Sequence, residues 1–161
     1  MKLRFNIDST AHNLLFVGPV LFTLILAILL AGCSGADRAA QEGGLVIAIS
    51  DVTETPSFYP VTVGKTEMEI IAVKASDGTI RTAFNTCQIC YSSGRGYYEL
   101  SGNELVCQNC GNRFSANQLE VESGGCNPWP IFGKDKTVTD SMVTIPQEIL
   151  KSSVKIFANW K

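Results

Sequence analysis

Beyond residue 44 the apolar positions come in short runs broken by turn residues, with no long stripe of helical period. Residues 45–49 and 58–63 read as strands. Residues 67–74 and 79–85 flank Ser76-Asp77-Gly78, and Asp-Gly suits a tight hairpin because both positions tolerate positive φ. Residues 97–100 and 104–107 form a second hairpin around Ser101-Gly102-Asn103. Near the end, 142–145 and 154–157 read as strands, with a short helical turn over 147–151. The pattern predicts a small antiparallel all-β domain over residues 45–161.

The first 44 residues follow another logic. Lys2 and Arg4 give a positive start, and an apolar run over 14–31 follows. Leu30-Ala31-Gly32-Cys33 then sets small residues before a cysteine, the pattern of a bacterial lipoprotein signal. Residues 1–32 are therefore expected to be removed and Cys33 to carry lipid. The small, polar residues 34–44 make a flexible tether. The alternative is an uncleaved single-pass anchor, for which the run is near the lower length limit and interrupted by Pro19. Either arrangement places the domain in the cell envelope, on the periplasmic or exterior side of a membrane. Ser34 points weakly to outward sorting.

Removing 32 of the 161 residues leaves 129, enough for a modest core. Without Lys2, Arg4 and Asp8, 11 basic and 14 acidic residues remain, a net charge of −3. No basic stretch interleaved with aromatics survives, so nucleic acid is not an expected partner. The single histidine, His12, lies in the leader, which removes His-ligated metal sites and Ser-His or Cys-His catalysis from consideration. Paired-carboxylate, nucleophile-elbow and phosphate-loop motifs are absent too, so the chain does not read as an enzyme. Asp51, Glu54, Glu67 and Glu69 read as a solvated face.

The chemistry sits in the cysteines. Cys87-Gln88-Ile89-Cys90 and Cys107-Gln108-Asn109-Cys110 are separated by sixteen residues, inside the spacing window of paired metal knuckles. The second hairpin lies between them, so closing it brings both pairs to one end of the domain. Gly111 can adopt the left-handed conformation that aims backbone amides at the second pair; the first is followed by Tyr91 instead. Thiolates select zinc, cuprous copper or iron–sulfur clusters over hard cations. Cys126, in Gly124-Gly125-Cys126-Asn127-Pro128, is a further ligand, a resolving thiol or a bystander.

The series Asp77-Gly78, Ala83-Phe84-Asn85-Thr86-Cys87, Cys90-Tyr91, Gly96-Tyr97-Tyr98, Val106-Cys107-Gln108-Asn109-Cys110-Gly111, Phe114 and Gly124-Gly125-Cys126-Asn127-Pro128 resembles the membrane iron-sulfur containing protein FtrD-like family. The resemblance implies a membrane-associated, ferredoxin-like electron-transfer or metal-handling partner of an iron-uptake system, with an iron–sulfur cofactor. It nominates Cys87, Cys90, Cys107 and Cys110 as ligands and Cys126 as a fifth motif cysteine. A looser analogy is to Rieske-like or rubredoxin-like domains, whose ligand loops also flank hairpins; here every Rieske histidine position would be a cysteine.

Three other readings stand beside this one. Zinc could organise a surface for a membrane partner, and a general secretory leader, lacking an Arg-Arg pair, favours an ion acquired after export over a preassembled cluster. A thiol–disulfide oxidoreductase would use the same pairs. A disulfide scaffold would leave one of five cysteines unpaired once Cys33 is lipidated. Tyr97, Tyr98, Phe114, Trp129 and Phe132 read as core or cover for the site, with an electron conduit as the alternative.

Overall fold

A computed structural model of the chain describes residues 43–161. The expected leader, Cys33 and nearly all of the tether lie outside the described residues. Among the described residues no helix is long and apolar enough to cross a membrane.

The described part is built from three antiparallel sheets and one short helix. The central sheet contains β2 (Ser57–Val63), β3 (Thr66–Lys74), β4 (Ile80–Cys87) and β8 (Pro128–Pro130), in the order β2-β3-β4-β8. On one side lies a small sheet of β1 (Leu45–Ala48), β10 (Met142–Ile145) and β9 (Thr137–Val138), in the order β1-β10-β9. A third sheet, β5 (Tyr98–Ser101), β6 (Glu104–Cys107) and β7 (Arg113–Ser115), is a simple meander.

This layering explains why β3 and β4 read as nearly continuous buried runs rather than alternating ones. In β3, Ile70 and Ala72 join a core with Ile47, Val61, Phe84, Val143, Ile145 and Leu150. The intervening Ile71 and Val73 join a second core with Ala83, Cys87, Tyr98, Leu105 and Leu119. Successive side chains point to opposite faces, so both faces of the central strands must be covered. The second core is where the cysteines sit.

The residue patterning located seven of the ten strands, with ends shifted by one or two residues. Three were not expected. β7 and β9 are very short, and β8 is Pro-Trp-Pro, a composition that argues against a strand unless it lies at a sheet edge, as it does here. The expectation of a strand at 154–157 is overturned. Residues Val154–Phe157 form a 3₁₀ turn that continues α1 (Gln147–Ser153). Leu150, Val154 and Phe157 recur at i, i+4 and i+7, a helical stripe that a four-residue window hides. Phe157 packs edge-to-face on Phe84 at 5.8 Å and on Trp160 at 5.0 Å, closing the first core.

Candidate metal centre

The two knuckles are built alike. Each begins at the last residue of a strand, Cys87 of β4 and Cys107 of β6. In each, the amide four residues on closes the turn, Tyr91 N–H to Cys87 O and Gly111 N–H to Cys107 O, both at 2.9 Å. In each, the glutamine after the first cysteine donates its backbone N–H to a neighbouring segment: Gln88 to Asn127 O and Gln108 to Tyr97 O. Gly111 takes the expected left-handed conformation at φ 74°.

The second hairpin sets the distance between knuckles. β5 pairs with β6 in a register that places Tyr98 opposite Cys107. β5 is held against β4 by Asn85, whose side chain accepts from Tyr98 N–H at 2.8 Å and donates to Tyr98 O at 3.2 Å. A buried asparagine thus supplies the hydrogen bonds that a neighbouring strand would. The pairing of β4 with β8 breaks register between Phe84 and Cys87, just before the first knuckle.

Gly96 completes the first knuckle by close approach. A Cβ there would lie 2.3 Å from Cys90 O and 2.6 Å from the Tyr91 Cα, so only glycine lets the chain pass. Its carbonyl accepts the Cys87 N–H at 2.7 Å. Asn159 braces the exit loop from the C-terminal segment, donating to Ser92 O and accepting from Gly94 N–H, both at 2.8 Å.

Cys126 arrives on a strap that leaves β7, runs past Leu119 and Glu120, and enters β8. Gln88 holds it twice: its side chain accepts from Gly124 N–H at 2.8 Å, and its amide donates to Asn127 O. The Tyr98 hydroxyl donates to Cys126 O. At the other end the Glu120 carboxylate accepts from Thr82 N–H at 2.9 Å and is paired with the buried Lys136 ammonium. Glu120 itself sits at φ 60°, the one non-glycine residue with positive φ among the described residues.

These supports bring the thiol sulfurs of Cys87, Cys90, Cys110 and Cys126 within 4.8 Å of one another. Cys107 does not belong to that foursome, although its thiol adjoins Cys110. All five thiols are free of disulfides. Cys87, Cys90 and Cys107 are buried, Cys126 is half-buried and Cys110 is exposed, so the group opens to solvent on the Cys110 side.

The electrostatics divide the thiols in two. Burial pushes Cys107 and Cys126 up to about 12 and also raises Cys90. Burial acts upward on Cys87 as well, but hydrogen bonds from the Tyr98 hydroxyl and the Cys90 and Ile89 amides bring it below an ordinary thiol. Cys110 is likewise lowered: burial opposes, while the Asn112 amide and the thiols of Cys107, Cys126 and Cys90 prevail. Cys87 and Cys110, one per knuckle, are thus the thiols whose ionised forms their surroundings favour, and a soft cation would displace the protons of the rest. Four convergent sulfurs with no hard oxygen donor among them fit a thiophilic metal.

The expected aromatic cover is present. Tyr98 and Phe114 stack edge-to-face at 5.8 Å inside the cysteine-bearing core. Tyr97 and Trp129 instead pack against the first core, Trp129 with Tyr91 at 6.1 Å. Sequence reasoning quoted Asn85 and Gln88 within its motifs without giving them a role, and passed over Glu120 and Lys136. Each works through a partner at least 13 positions away.

No curated protein and no solved structure matches the chain. A family profile does, over residues 52–157, and its span takes in both knuckles and the Cys126 strap. On that match the chain belongs to the family of membrane iron-sulfur containing, FtrD-like proteins.

Proposed function

We propose that this protein is an envelope-anchored, Cys-ligated metal-binding protein with an iron–sulfur centre, which passes electrons or iron to a membrane iron-uptake system. The observation that carries the reading is the convergence of Cys87, Cys90, Cys110 and Cys126 from three separate segments. Membership of a membrane, iron–sulfur containing family supports it. Anchoring would come from acylated Cys33.

Cys110 is exposed and Ile89, inside the first knuckle, is 64% exposed, so the centre lies close to the surface. A buried structural ion has no need of such an opening, whereas a carrier must bring its centre close to a partner. The Rieske and rubredoxin analogy rests on the same feature, ligand loops at one tip of a β domain. The proposed role is that of a carrier.

Zinc organising a partner-binding surface is the second reading, favoured by the four-coordinate, all-sulfur donor set. The test is anaerobic extraction of the full chain from membranes, followed by metal analysis and a visible spectrum through cycles of dithionite and ferricyanide. Bound iron with sulfur-to-metal charge-transfer bands that bleach reversibly supports the carrier. A colourless zinc protein supports the second reading. Metal-free protein trapping mixed disulfides through Cys87 or Cys107 refutes both.

A further inference from the structure

The geometry points to a single tetrahedral metal ion held by Cys87, Cys90, Cys110 and Cys126, with Cys107 outside the coordination shell, rather than a multinuclear cluster. The inference rests on the metal-binding reading above and specifies how many ions the site holds and which thiols hold them.

The size of the sulfur cage carries it. A single ion with metal–sulfur bonds of about 2.3 Å sets its four thiolates about 3.8 Å apart. In a cluster, thiolates on different irons are separated by the iron–iron vector as well as two iron–sulfur bonds, which places them about 5.5–6.5 Å apart. All pairs in the foursome lie within 4.8 Å. A regular tetrahedron of that edge has its vertices about 2.9 Å from the centre, so contraction by about 0.6 Å at most reaches single-ion geometry. A four-iron cluster would instead require each sulfur to retreat by about 1 Å or more.

The surroundings resist retreat. Cys87 and Cys90 are buried, and the Cys90 amide donates to Cys87 Sγ at 3.4 Å across the turn. The Tyr98 hydroxyl reaches both Cys87 and the Cys126 carbonyl, tying the first knuckle to the strap. Gly96 lies against the back of Cys90, so the first knuckle has no room to withdraw. The strap is held at 2.8 Å by Gln88, which belongs to the same knuckle. A centre of more than one metal would have to part segments that bond to each other directly.

The partition of the five cysteines follows. The knuckle spacing alone pairs Cys107 with Cys110, yet Cys107 is buried opposite Tyr98 in the strand pairing, while Cys126 faces the open side with Cys110. The Cys107 thiol adjoins Cys110, which suits a hydrogen-bond donor to a ligand sulfur. A single iron in four thiolates satisfies an iron–sulfur description without inorganic sulfide, and zinc fits the same cage.

The test uses the full-length, membrane-extracted protein, stripped of metal anaerobically and reconstituted with ferrous iron or zinc, each with and without added sulfide. The expected result is one ion per chain, no acid-labile sulfide, and an X-ray absorption spectrum with four sulfur neighbours at about 2.3 Å and no metal–metal scattering. Metal analysis of the extracted protein before stripping identifies the ion the native protein carries. Two or four irons with matching sulfide overturn the inference while leaving metal binding intact. Failure to bind either ion overturns both. Cys107→Ser is expected to keep one ion per chain, and Cys126→Ser to hold it at least tenfold more weakly. The opposite ranking overturns the ligand assignment, and the wild-type stoichiometry stands independently should either variant fold poorly.

Discussion

Replacing Lys136 with methionine tests how the Cys126 strap is held. The Lys136 ammonium donates to Ile80 O at 3.2 Å, to Thr82 Oγ1 at 3.0 Å and to the Glu120 carboxylate. Its side chain is 3% exposed and that of Glu120 14%. Burial lowers the lysine pKa and Glu120 opposes that fall, as expected for an ion pair taken out of water. Lys136→Met keeps most of the apolar stem and removes the charge. Glu120 is left as a largely buried carboxylate with the Thr82 amide as its remaining donor.

Breaking a buried pair from one side costs about 3–5 kcal/mol. Here Glu120 also borders a cavity of about 560 Å³ with Val52, Ile80 and Thr139, through which water can reach the orphaned carboxylate. That access moves the expected loss to about 2–4 kcal/mol. For a body of the described length this is a fall in melting temperature of roughly 8–16 °C. Urea and thermal unfolding, with metal loaded and chelated, measure it. Glu120→Gln in the Lys136→Met background removes the uncompensated charge and is expected to recover at least about 1 kcal/mol relative to the sum of the single losses. Because Glu120 anchors the strap, Lys136→Met is also expected to release metal faster to a chelator. A single variant within about 0.5 kcal/mol of wild type, or strict additivity in the cycle, would refute the reasoning.

Tyr98→Phe removes the hydroxyl that joins Cys126 O to the Cys87 thiol, with an expected loss of about 1–3 kcal/mol. Metal affinity is expected to fall about 10–100-fold in chelator competition, and an unchanged affinity counts against the tie. Gly96→Ala forces a Cβ to 2.3 Å from Cys90 O, and a cost of at least about 2 kcal/mol with impaired metal loading is expected; a normally loaded, wild-type-stable variant contradicts it. Asp77 is lowered from 3.8 to about 2, first by donation from the Thr79 hydroxyl and amide and then by Arg81. Its folded pKa lies below the unfolded one, so its contribution is complete above pH 4 and is lost as pH falls towards 2. Asp77→Asn is therefore expected to flatten that part of the acid-stability curve, and superimposable acid limbs refute it.

The fold was legible wherever local pattern decides structure. Strand-length apolar runs and the Asp77-Gly78 turn, with Gly78 at φ 83°, marked the central sheet. Pattern failed where tertiary contact decides. Pro128–Pro130 is a strand because it pairs with β4 along one edge, which no local propensity reveals. Residues 154–157 are helical because the preceding turns bury Leu150 against the first core, which makes Phe157 face inward by continuation.

The cysteine site shows the same division more sharply. Spacing places four sulfurs in two equivalent turns, and by that criterion Cys107 and Cys110 stand on equal terms. Their environments make them different. β6 must present Leu105 and Cys107 to the buried face, since residues two apart share a side, and this commits Cys107 to the core beside Tyr98. Cys110 lies beyond the strand end, free of that parity, and is exposed while its sulfur still reaches the group. The place left beside it is taken by Cys126, delivered by a strap whose anchors are a glutamine from the other knuckle, a buried tyrosine and a charged pair beside β4. Each anchor lies far from Cys126 or Glu120 in sequence or looks unremarkable alone. Burial alone does not decide membership, since Cys87, equally buried in that core at the end of β4, belongs to the foursome; the strap that delivers Cys126 beside Cys110 does.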